Sequence, residues 1–90
     1  MEYKELIEKE NELIKNLHND GFEIVEASSS DSAFTYIKFK KGKVTRLLTR
    51  LPVNFHGKSK ILLQITEQKP FPSIALTEIE AYYSEIPFDL

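Results

Sequence analysis

The spacing of apolar residues divides the chain into helical and extended segments. Leu6, Ile7, Leu13, Ile14 and Leu17 fall on one stripe at helical spacing, which predicts an amphipathic helix over 2–19. Glutamates crowd its first half, where they suit the positive end of the helix dipole. Gly21 is a natural stop, able to take the left-handed conformation there. Beyond it come strands at 22–27 (FEIVEA), 34–39 (FTYIKF), 44–51 (VTRLLTRL) and 60–66 (KILLQIT), rich in β-branched and aromatic residues. A polar loop at 28–32 and a turn at 54–59 (NFHGKS) separate them, and Pro52 is expected to end the third strand. After Pro70-Phe71-Pro72 a further strand fits at 73–76, giving a sheet of four or five strands. From Thr77 the spacing changes again. Thr77 and Glu80 match a capping box, Ile79, Tyr82, Tyr83 and Ile86 share a helical face, and Pro87 closes the segment, so a helix is predicted over 78–86. The expectation is one α+β domain, 1–90, with an N-terminal amphipathic helix, an antiparallel sheet and a C-terminal helix.

The hairpin between the second and third strands decides which side chains share a face. A two-residue loop, Lys41-Gly42, sets Lys40 opposite Lys43 and mixes Ile37 with Arg46. A three-residue loop, Lys40-Lys41-Gly42, gives Gly42 the left-handed position and pairs Lys38 with Val44 and Tyr36 with Arg46. The second register separates the faces better. It gathers Thr35, Ile37, Phe39, Leu47, Leu51, Ile61, Leu63 and Ile65 beneath the helix. Phe34, Tyr36, Lys38, Val44, Arg46, Leu48, Arg50, Lys60, Leu62 and Gln64 are left on the opposite face.

Charge sharpens this picture. The chain carries a net charge of −2, yet residues 32–66 hold eight bases and no acid, residues 1–31 nine acids and three bases, and residues 67–90 five acids and one base. The central cations are expected side by side on the uncovered face with Phe34 and Tyr36 among them, a pattern suited to phosphates and unpaired bases. There is no cysteine, hence neither a disulfide framework nor a thiolate zinc site. No apolar run reaches the length of a membrane span, and MEYKELIEKE lacks the apolar core of a signal peptide. A cytoplasmic location is the expectation.

Other chemistry is sparse. Glu10 falls near the centre of the apolar stripe, where a carboxylate needs a partner, such as a sheet lysine or arginine. Glu67-Gln68-Lys69 has the acid-x-lysine form of a metal-dependent nuclease, but such a site needs an upstream acid as well, and Asp31 is the nearest. His18 suits a helix end and His56 a surface turn, and neither has metal-ligand spacing. No phosphate loop, nucleophile elbow or dinucleotide fingerprint occurs. No catalytic residue, metal or cofactor is therefore assigned, and no enzyme is expected.

The run of four strands and a capped helix, best seen in KILLQITEQKPFPSIALTEIEAYY, resembles the positive-cofactor-type family of single-stranded DNA-binding transcriptional coactivators. The resemblance implies a dimer whose sheet face binds unpaired strands, and implicates Lys38, Arg46, Arg50 and Lys60. The chain departs from that pattern in its acidic first helix and in lacking tryptophan. The first expected function is a homodimeric, weakly sequence-specific nucleic-acid-binding domain. Lys38, Arg46, Arg50 and Lys60 contact phosphates, Lys40, Lys41 and Lys43 extend the track, and Phe34 and Tyr36 stack on bases. The alternative is a phage or mobile-element interaction module, an inhibitor of the anti-CRISPR kind that docks on a host nucleic-acid enzyme, with the segregated charge steering a protein partner.

Overall fold

The computed structural model describes residues 1–28, 34–68 and 76–87. Within them lie one helix, α1 (Tyr3–Asn19), and five strands: β1 (Glu23–Ala27), β2 (Thr35–Lys41), β3 (Val44–Phe55), β4 (Lys58–Gln68) and β5 (Leu76–Glu85). The strands form a single antiparallel meander in the order β1-β2-β3-β4-β5. The α+β class and the N-terminal helix agree with the sequence.

The α1 helix begins where the Glu2 amide donates to the Glu5 carboxylate (3.3 Å), satisfying one of the free donors of the first turn. It ends at Gly21 (φ 93°), where Gly21 N–H reaches His18 O and Phe22 N–H reaches Leu17 O, both at 3.0 Å. That pair of bonds is a Schellman motif, and Phe22 packs where its hydrophobic contact belongs. Leu6, Leu13 and Leu17 of the predicted stripe are buried with Phe22, Phe39, Leu48, Ile61, Leu63 and Ile65. The core is therefore a single layer between α1 and one face of the sheet.

Three expectations are corrected. The segment predicted as a C-terminal helix over 78–86 is β5, paired along its length with β4. Its order of elements thus departs from the four strands and a helix on which the coactivator resemblance rests. The expected 73–76 strand lies outside the described residues except for Leu76, which begins β5. The β2–β3 loop is neither of the two weighed above. Lys41 pairs with Val44 across a two-residue turn, Gly42-Lys43, with Gly42 at φ 59°, the position a type II′ hairpin reserves for glycine. Relative to the expected register, this turn flips every side chain of β3 to the other face. Val44, Arg46, Leu48 and Arg50 lie beneath α1, while Thr45, Leu47, Thr49 and Leu51 face away.

Nor does Pro52 end its strand. It pairs with Ile61 of β4, beyond Arg50, the last β3 residue that β2 covers. Among the described residues no strand on that side requires the N–H that proline lacks. The next turn, His56-Gly57, has both residues at positive φ (52° and 77°), a type I′ geometry that fixes the β3–β4 register.

Candidate binding face

On the α1 side, the flipped β3 brings two arginines into contact with carboxylates. Arg50, 8 % exposed, donates Nε to Glu10 (3.0 Å), Nη1 to the Tyr3 hydroxyl (2.7 Å) and Nη2 to Thr35 Oγ1 (2.7 Å). Glu10 is itself 6 % exposed. The charge on the apolar stripe thus has its partner forty positions along the chain, and the guanidinium fork is matched on three sides. Arg46 donates Nε to Glu67 (3.1 Å), and its guanidinium lies 4.8 Å from the centre of the Phe22 ring. The Glu67 of the nuclease-like tripeptide is therefore engaged by Arg46, while Lys69 and Asp31 lie outside the described residues.

The opposite face is built in rows, because residues paired across antiparallel strands point the same way. One row runs Glu23, Lys40, Thr45, Gln68, Leu76. The next runs Glu26, Lys38, Leu47, Thr66, Glu78. Tyr36, Thr49, Gln64 and Ala81 follow, then Leu51, Leu62 and Tyr83, then Val53, Lys60 and Glu85, and finally Phe55 with Lys58. Among the described residues no element covers these rows. Leu47, Leu51, Val53 and Leu62 remain half-buried by their neighbours alone. Phe55 and Tyr83 are exposed and in ring contact at 4.9 Å.

The predicted site residues are accordingly divided. Tyr36, Lys38, Lys40 and Lys60 share the open face as expected, whereas Arg46 and Arg50 lie beneath α1. Phe34 is exposed one residue before β2. Lys41 turns to the α1 side, its ammonium 5.7 Å from the Phe22 ring centre, and Lys43 is exposed in the turn. Three of the open-face lysines also have a glutamate directly across: Lys40 faces Glu23, Lys38 faces Glu26, and Lys60 faces Glu85 at 3.8 Å. Among the described residues Lys38, Lys40, Lys58 and Lys60 are equal in number to Glu23, Glu26, Glu78 and Glu85, so their charges on this face balance. Sequence reasoning passed over Leu47, Leu51, Val53, Phe55 and Tyr83 as members of this surface. The signal for the four on β3 was the alternation of that strand, which a one-residue change in turn length inverts, and Tyr83 was missed because its strand was read as a helix.

His18 is exposed in the last turn of α1 and His56 in the β3–β4 turn. Among the described residues no group of three histidine, aspartate or glutamate side chains could hold a metal ion, and every buried side-chain nitrogen and oxygen has a hydrogen-bond partner. Compared with known proteins, the chain matches no family model, no curated protein and no solved structure.

Proposed function

We propose that the protein is a non-enzymatic protein-docking module that works through the open face of its sheet and seats a second copy of the chain there. The observation that carries this reading is the uncovered run of Leu47, Leu51, Val53, Phe55, Leu62 and Tyr83. Its continuous part, Leu51, Val53, Phe55, Leu62 and Tyr83, is the kind of apolar surface that marks an interaction site. Five strands about 4.8 Å apart, of 5, 7, 12, 11 and 10 residues, present on the order of 700 Å2, close to the roughly 800 Å2 per partner of a specific interface. The balanced charge favours the same occupant, because a neutral face does not repel its own copy. It also gives phosphates no field to follow.

Sedimentation equilibrium over a concentration series tests the proposal. The wild type should sediment as a dimer. Leu47→Glu and Leu62→Glu, each burying a carboxylate in the interface, should sediment as monomers with unchanged far-UV circular dichroism. A wild type that stays monomeric at its highest soluble concentration rejects the reading. A second reading, single-stranded nucleic-acid binding, is favoured by one observation: Lys40, Lys41 and Lys43 stand exposed together at the β2–β3 tip, beside Lys38 and Tyr36. It requires a labelled single-stranded oligonucleotide to bind at low salt, with each tip lysine removed lowering the salt slope by about 1.

A further inference from the structure

The outer edge of β5 is a second surface with a different chemistry. β5 is ten residues long, and among the described residues no strand pairs with its far side. The amide of Glu85 turns away from β4 to the carbonyl of Met1 (3.2 Å). Strand alternation gives Tyr83 and Ala81 the same outward direction. An edge of this length is a template for another strand unless something discourages pairing.

Two features decide what could pair there. The first is charge. Inside the sheet, glutamates repeatedly face cations on the adjacent strand: Glu23 opposite Lys40, Glu26 opposite Lys38, Glu67 opposite Arg46, Glu85 opposite Lys60. Glu78 and Glu80 break the rule, since β4 offers them Thr66 and Ile65. Among the described residues their hydrogen bonds are to neutral groups, Glu78 to Gln64 (2.8 Å) and Glu80 to the Tyr82 hydroxyl (3.3 Å). A strand added outside β5 with lysine or arginine at these positions would complete the pattern. A second β5 would set glutamates against glutamates, and β1, the other edge, carries Glu23 and Glu26.

The second feature is a groove. At a register irregularity in β5, between the partners of Ile65 and Thr66, Ile79 and the C-terminal end of α1 enclose a groove of about 130 Å3. Leu13, Leu17, Ile65 and Ile79 form its apolar lining, with Asn16, Asp20, Arg46 and Glu80 at the polar side. The volume falls below the roughly 300 Å3 at which small-molecule pockets begin and near the roughly 150 Å3 of a cavity that holds benzene. It has room for one apolar side chain. Ile79 is 44 % exposed, so the entrance lies beside the open edge.

We infer that β5 accepts an extended basic segment of another protein as a sixth strand, with backbone hydrogen bonds along the edge, lysine or arginine opposite Glu78 and Glu80, and one apolar side chain in the groove. Strand addition of this kind draws affinity from the main chain and specificity from alternate side chains. The edge and the groove lie outside the apolar rows of the open face, and of this site only Glu78 belongs to that face.

The probe is a fluorescein-labelled nine-residue peptide with lysine on both faces of the strand, one central leucine and threonine at the remaining positions, titrated against the full chain by anisotropy. Its glutamate counterpart should bind at least tenfold more weakly. A third peptide, N-methylated at alternate residues so that it cannot donate to a strand edge, should lose binding by a similar factor. Ile79→Lys and Glu80→Lys should each weaken the lysine peptide about tenfold, while Glu8→Lys on the exposed side of α1 leaves it unchanged. The peptide comparisons use the wild type, so they hold even where a variant fails to fold. Equal binding of the N-methylated peptide overturns strand addition and leaves charge alone. Equal binding of the lysine and glutamate peptides, or binding of neither, overturns the proposal.

Discussion

Arg50 is the residue on which helix and sheet are joined. Its guanidinium reaches Glu10 and Tyr3 on α1 and Thr35 on β2, so three elements share one buried cation. A buried ion pair is weak support for net stability because both charges are desolvated, but removing one partner strands the other. Glu10→Ala should therefore cost about 3–5 kcal/mol, a large part of the roughly 5–13 kcal/mol expected for a chain of this length. The double variant Glu10→Leu, Arg50→Met, which removes both charges and keeps the volume, should recover most of that loss. Arg46→Ala, whose ion pair is partly solvated, should cost no more than about 1 kcal/mol. Urea unfolding of the three variants checks the order, and a Glu10→Ala loss under about 1 kcal/mol would show the network to be incidental. Glu10 could be read as needing a cation because a helical wheel alone puts it on the apolar stripe. Its particular partner could not, because that depends on the register of a strand distant in sequence.

At the scale of elements, the sequence pointed correctly to α1, its glycine stop, and the inward faces of β2 and β4, and it failed at β3 and β5 for two different reasons. VTRLLTRL supports two alternations. Thr45, Leu47, Thr49 and Leu51 look more like a core face than Val44, Arg46, Leu48 and Arg50. The turn places the second set inward, where Glu10 and Glu67 receive the arginines. LTEIEAYYSE has both a helical apolar face and strand-forming residues, and β4 beside it has an edge to fill, so tertiary pairing overrides the local capping signal. Ser84 separates the two states. As a strand residue it is 1 % exposed and opposite Ile61. On a helix running from 78 to 86 it would stand on the polar side, away from Ile79, Tyr82 and Tyr83. Ser84→Asp should thus destabilise the fold by at least about 2 kcal/mol, as an unpaired buried polar group does, whereas a helical segment would tolerate it. Thermal unfolding followed by circular dichroism decides between them.

The whole molecule resolves the charge puzzle of the sequence. The acid-free block forms β2, β3 and most of β4, the inner strands. The acidic ends of the chain form α1 and the outer strands β1 and β5. Antiparallel pairing thereby brings blocks of opposite sign, separated along the chain, into alternate positions across the sheet. The two possible arrangements respond to salt with opposite signs. A face of clustered cations repels itself, and screening that repulsion would raise stability. Rows in which lysine faces glutamate attract, and screening them lowers it. Raising ionic strength from about 0.01 M to 0.15 M shortens the Debye length from about 30 Å to about 8 Å. Exposed pairs are each worth about 0.2–1 kcal/mol. Three such pairs, with Arg46–Glu67 beneath, should together lose on the order of 1 kcal/mol, a fall in Tm of about 4–8 °C for a domain of this size. Calorimetric scans of the Leu47→Glu variant in sodium chloride, chosen to keep dimerisation out of the measurement, should show that fall. A Tm that rises over the same range would mean that the central cations repel one another on a common surface after all.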